Sequence, residues 1–157
     1  MAGYFLKIDG IAGESQDDRH KDEIEVDSFS WGETFQPSAP GIAGAGKVHV
    51  QDFHITKQID KASPLLLLAA ASGEHFQSAV LTAQRPGKEP QDYFTITLSE
   101  LMVSSYQIEA RAEQPSPSEQ VSFSFGRIEI VYSPQLADGT AGTPVNAGWD
   151  ITANRKI

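Results

Sequence analysis

The chain has 157 residues, a formal charge of −9 and no cysteine. That length suits one domain over residues 1–157, able to bury about 70% of its unfolded surface without disulfide or metal staples. The acid surplus argues against a nucleic-acid partner, the missing thiols exclude cysteine nucleophiles and thiolate zinc sites, and no stretch approaches the roughly 18 apolar residues of a membrane span.

Met1–Asp9 lacks the charged start, apolar run and cleavage site of a signal peptide, so synthesis in the cytoplasm without signal-peptide export is expected. Tyr4–Ile8 alternates as a strand and ends at Asp9-Gly10, and Gly13–Glu23 reads as a polar loop. Glu23–Gly32 is a second strand, with Ile24, Val26, Ser28 and Ser30 on one face and Glu25, Asp27, Phe29 and Trp31 on the other. Both faces change character midway, as expected of a strand that leaves one environment and enters another. If the aromatics pack inward, Ser28 and Ser30 face water.

Thr34–Gly46 is predicted as a long loop of small residues. Gly41-Ile-Ala-Gly-Ala-Gly46-Lys47 has the spacing of a phosphate-binding loop, but Val48 stands where Ser or Thr must hold magnesium. The residues from Val48 to Ile55 are strand-like and not helical, and Pro37 and Pro40 come before the glycines where a buried strand is required. The nucleotide assignment therefore fails. Long loops in compact domains are often functional. The segment containing Gln36, Pro40, Gly41, Gly44, Gly46 and Lys47 is the candidate functional loop, a contact with another copy of the chain.

Lys47–Lys57 places Val48 and Val50, then Phe53 and Ile55, one residue out of phase, so a β-bulge is expected near Gln51–Asp52. A similar slip is expected at Gly126, between Val121–Phe125 and Ile128–Tyr132. Two such slips suggest a curved or closed sheet. One helix is predicted, with Ser63 as N-cap, Pro64 at its first position, Leu65–Ser72 as the body and Gly73 as the stop. Leu65, Leu66, Leu67 and Leu68 with three alanines make it apolar all round, so a neighbouring subunit is the expected cover. Gln77–Ala83, Tyr93–Val103 and Val145–Ile151 bring the strands to about seven, with exposed turns at Glu113–Glu119 and Leu136–Pro144.

The candidate chemistry is sparse. His49 and His54 sit too far apart on one strand to share a metal, and His20 lies in a mixed-charge run expected to be a solvated loop. No G-x-S-x-G elbow is present, although a triad is recognised by geometry and not by spacing. No enzymatic activity, cofactor or metal is expected. Trp31, Trp149, Tyr106 and Tyr132 could instead line a sugar platform, although buried aromatics are usually core or interface.

Several blocks in order carry a family resemblance. They are Lys7–Ser15, His20–Val26, Ser30-Trp31-Gly32, Gly46–Phe53, Lys57 with Asp60-Lys61 and Ser63-Pro64, Ile96-Thr-Leu98, Val103-Ser-Ser105, Val121–Ile128, Tyr132–Gln135, Ala137-Asp-Gly139 and Gly148-Trp149 with Asn154. Together, over residues 4–155, they resemble the hemolysin-coregulated protein (Hcp) family of bacterial type VI secretion. The resemblance implies a mainly all-β fold, a two-sheet β-barrel with one short flanking α-helix, forming hexameric rings. It implies rings stacked as a tube inside a contractile sheath, capped by a spike protein of the valine-glycine repeat type. The tube is expelled by sheath contraction and carries small effector proteins in its lumen, which Ser30 would line. The chain stops soon after Trp149, so no fused C-terminal toxin is expected. On the residues alone, a monomeric carbohydrate- or ligand-binding β-sandwich is the alternative.

Overall fold

A computed structural model describes residues 3–37 and 46–157. The strands are β1 (Gly3–Ile8), β2 (Ile24–Val26), β3 (Ser28–Ser30), β4 (Glu33–Pro37), β5 (Gly46–Val50), β6 (Phe53–Gln58), β7 (His75–Arg85), β8 (Gln91–Glu109), β9 (Ser118–Tyr132), β10 (Val145–Asp150) and β11 (Arg155–Lys156), with helix α1 (Ser63–Ser72) between β6 and β7. Period-2 alternation drives them. In β7, Ala79, Leu81 and Ala83 turn inward, and in β6 Phe53 and Ile55 do the same.

Nine strands form one folded sheet ordered β11-β10-β9-β8-β7-β1-β2, with β6 added to β9 and β3 added to β6, while β4 and β5 form a separate ribbon. Two strands are long enough to serve both layers. The first half of β9 pairs with β6, from Gln58↔Ser118 to Phe53↔Phe123. Its second half pairs with β10, from Asp150↔Arg127 to Val145↔Tyr132. Throughout, β8 runs alongside it.

The all-β expectation holds, but the barrel does not close. Strand β2 pairs with β1 and β3 pairs with β6, and at Asp27 between them the N–H bonds to the Thr56 carbonyl at 2.8 Å. The chain hands over from one layer to the other at that point, as the midway change of faces anticipates.

Both expected bulges prove to be something else. Near Gln51–Asp52 there is a break between strands with different partners: β5 pairs with β4, and β6 pairs with β3 and β9. The Trp31 indole N–H donates to the Gln51 carbonyl at 2.8 Å and clamps the break. At Gly126 the inward face does switch, from Phe123 to Ile128, but β8 switches opposite it, from Leu98 to Leu101. Register is therefore kept, Ser99↔Arg127 before and Leu101↔Phe125 after, with Glu100 held at φ 56°. The register shift in this pair lies between Val103 and Ser105. The predicted Thr34–Gly46 loop is also shortened by structure, since Glu33–Pro37 is a strand with every residue exposed.

Helix α1 buries Ser63, Leu66 and Ala69 and leaves Leu65, Leu67 and Leu68 at 43%, 51% and 57% exposure. Gly73 terminates it at φ 68°, its N–H bonded to the Ala69 carbonyl. Ser63 is not the N-cap. Ala62 holds that position, its methyl unable to cap, and the Ser63 hydroxyl is engaged elsewhere.

Its partners are a buried polar group that the sequence does not announce. Lys57 is fully buried and its ammonium bonds Glu119, Asp60 (2.8 Å), the Gln58 carbonyl (3.0 Å) and the Ser63 hydroxyl (3.3 Å). Ser63 donates to Glu119 at 2.9 Å, and the Tyr106 hydroxyl donates to the other Glu119 oxygen. Burial, then the neighbouring carboxylate, pushes the Tyr106 hydroxyl up to about 12. The predicted exposed turn Glu113–Glu119 thus ends early: Ser118 opens β9 and Glu119 is wholly buried. His20 is likewise no solvated residue, being 5% exposed and stacked on Phe5.

Candidate functional site

The registers of β3, β6, β9 and β8 build two cross-strand rows on one sheet face. Ser30 opposes His54, His54 opposes Ser122, and Ser122 opposes Ser105. Beside them run Ser28, Thr56, Gln120 and Gln107 in the same manner. Directly paired residues share a face, so all eight side chains project together. The reverse face carries Phe29, Phe53, Ile55, Val121 and Phe123 into the core. Ser28 and Ser30 therefore face outward, as the inward aromatics require, and both are exposed.

This face is uncharged and rich in hydroxyls and amides. Ser28 and Thr56 hydroxyls meet at 2.6 Å, and His54 Nδ1 meets the Ser122 hydroxyl at 2.6 Å. A shallow depression of about 440 Å³ runs over it from Ser30 to Gln107. No Asp, Glu, Lys or Arg is among the described residues that line it. Acids return at its ends, where Gln58 donates to Asp27 at 3.0 Å, Glu109 stands opposite Ser118, and Ser104 donates to Asp52 at 2.7 Å. Such a surface can both donate and accept hydrogen bonds without imposing a charge on what it touches.

The sequence singles out only Ser28 and Ser30 here. The other members carried a signal, polar pairs spaced by two within strand formers: His54 and Thr56, Ser105 and Gln107, Gln120 and Ser122. His54 and Ser122 are 68 residues apart in number, and only the registers bring the pairs side by side.

A second surface lies under the β4–β5 ribbon. Trp31, Phe35, Val48, Ile128, Ile130 and Trp149 line a largely apolar cavity of about 710 Å³. Inside the fold, the Trp149 indole N–H has no hydrogen-bond partner among the described residues. Gln36, Gly46 and Lys47 lie on the ribbon, where Gln36 pairs with Lys47 and Pro37 with Gly46. Pro40, Gly41 and Gly44 fall outside the described residues. The third surface is the outer side of α1, formed by Leu65, Leu67 and Leu68, because Leu66 is sunk into the chain's own core.

The four aromatics proposed as a sugar platform do not share one face. Trp31 and Trp149 belong to the ribbon cavity, Tyr106 turns inward to Glu119, and Tyr132 stands edge-on to Tyr93 with centroids 6.4 Å apart. Among the described residues no three His, Asp or Glu side chains gather as a metal-ligand group.

The family profile described as "Type VI secretion system effector, Hcp" matches residues 5–132. Protein hcp1 of Pseudomonas aeruginosa is 42% identical over 154 residues, covering 96% of this chain and 95% of its own. The solved structure of a type six secretion system protein superposes with a TM-score of 0.92 at 30% identity, covering all of both chains. Hcp1 from Salmonella typhimurium superposes with a TM-score of 0.81 at 32% identity, covering 99% of both.

Proposed function

Because the chain belongs to the Hcp family of type VI secretion proteins, we propose that it is a structural subunit of the secreted inner tube, one domain spanning residues 1–157. It is made in the cytoplasm and leaves through the type VI apparatus. Copies assemble as hexameric rings that stack, the stack meets a contractile sheath outside and a valine-glycine repeat spike at its tip, and small effectors ride in the lumen.

The observation that supports lumenal carriage is the uncharged hydroxyl face of Ser28, Ser30, Thr56 and Ser105. In a chain of formal charge −9, a band without carboxylates is a surface on which varied protein cargo can form hydrogen bonds without like-charge repulsion. Ring formation is supported by two surfaces that one chain leaves uncovered, the exposed leucines of α1 and the apolar ribbon with its cavity. A head-to-tail contact of two different patches closes into a ring when its rotation permits.

Native mass provides the first test. A particle of about six times 17.0 kDa supports the ring. A monomer would overturn the ring. Cargo carriage has its own test: Ser30→Gln should leave the ring mass intact and abolish effector co-purification, and unchanged co-purification would remove Ser30 from the lumen. Ionic strength separates the two levels of assembly. Exposed like charges are screened beyond about 8 Å at physiological salt. Low salt should therefore unstack rings before it dissociates them, and sedimentation showing monomers first would contradict this.

A further inference from the structure

The segment between β1 and β2 is folded on itself, Gly13 N–H bonding the Asp22 carbonyl at 2.8 Å and Ser15 N–H the Glu23 carbonyl at 3.0 Å. Side-chain contacts near both ends fasten it to the rest of the fold. Near one end Glu14 accepts the Lys61 N–H at 2.8 Å, just before α1. Near the other end lies His20, whose imidazole stacks on Phe5 of β1 with centroids 4.5 Å apart. His20 Nε2 lies 2.8 Å from the Asp92 carboxylate of β8, and Nδ1 lies 3.0 Å from that of Glu23.

Both ring nitrogens thus face carboxylates. A neutral imidazole has one N–H, so in either tautomer the other nitrogen would point its lone pair at an anion. Only the imidazolium satisfies both contacts. No cation competes within the cluster among the described residues. The loop itself contributes Asp17, which accepts the His20 backbone N–H, and β7 contributes the neutral Gln84, which donates to Asp17 at 3.4 Å.

We propose that His20 is a proton-operated latch, fastening the Gly13–Glu23 loop to the start of β8 and releasing it when the imidazole loses one of its two protons. The latch does not depend on the tube assignment. Burial is the largest influence on His20 and works to lower its pKa, yet the bonds to Asp92 and Glu23 and their charge outweigh it and leave the pKa above 6.5. A group that holds its proton more tightly when folded stabilises the fold fully below its unfolded pKa, about 6.5. That stabilisation is lost as pH rises through the higher folded value.

The test uses full-length protein, reading the His20 ring by long-range proton–nitrogen NMR and the loop amides by hydrogen exchange between pH 6 and 9. The ring should stay doubly protonated above pH 6.5. Protection of the Gly13, Ser15 and Asp22 amides, corrected for intrinsic exchange, should drop several-fold as the ring titrates, while Leu81 and Leu98 hold. Asp92→Asn should move that drop to lower pH, and His20→Gln should leave the loop at its alkaline protection throughout. A ring titrating at or below pH 6.5, loop protection flat across the range, or an Asp92→Asn midpoint equal to wild type would each overturn the latch.

Discussion

Glu119→Ala should lower the unfolding free energy by about 3–5 kcal/mol, the usual penalty for removing one member of a buried ion pair. The fully buried Lys57 would be left with only Asp60 and neutral acceptors, and the Tyr106 and Ser63 hydroxyls would lose their shared acceptor. The pair as a whole is another matter. Replacing two buried charges by apolar side chains of similar volume is often neutral or stabilising. Lys57→Met combined with Glu119→Leu removes both charges but leaves Tyr106, Ser63 and Asp60 without these partners, so it should recover only part of the loss.

Urea unfolding at fixed protein concentration gives both numbers, and a Glu119→Ala midpoint within error of wild type would show that the buried group carries no stability. Tyr106 adds a pH signature. Its proton is held to about 12 in the fold against about 10 when unfolded, so its contribution is present below pH 10 and fades between those values.

If the proposed ring forms through the ribbon, Phe35→Asp should convert it to monomers without unfolding them. Phe35 is 62% exposed on a two-stranded ribbon and lines the apolar cavity beneath it, so in the isolated chain it has little to lose. In a ring the same side chain would be buried against a neighbour, where burying a Phe is worth about 1.5–3 kcal/mol and a carboxylate is far more costly. The loss recurs at every interface of a cyclic assembly. Leu67→Glu with Leu68→Glu probes the helix patch in the same way, and shortening Pro40–Gly46 probes the ribbon tip. Native mass and circular dichroism decide the matter, since a six-subunit mass retained by Phe35→Asp would remove the ribbon from the interface.

The alternating strands and the Pro64-to-Gly73 helix were legible in the residues because each is a local pattern: period 2, a proline start, a glycine stop. Which leucines face outward was not, since Leu66 is buried in the chain's own core. The split of the second strand into two environments at Asp27 was legible as a local pattern too. The misreadings share a physical cause. A one-residue phase change looks alike whether it marks a bulge, a change of sheet after Val50, or two strands switching face together at Glu100 and Gly126. Only the pairing distinguishes them.

Polar residues posed the complementary difficulty. His20 and Glu119 read as surface residues, and nothing marked Lys57 as buried, because burial of charge depends on partners, and these stand 72 residues away for His20 and 62 for Lys57. By itself the sequence determined the class of fold and the excess of apolar surface on one helix, which rest on patterns along a few neighbouring residues, and the family, which rests on the order of blocks over residues 4–155. The uncharged face, the buried ion pair and the latch at His20 were decided by tertiary structure, because a side chain's neighbours across a sheet are set by register, and register is a property of the whole fold.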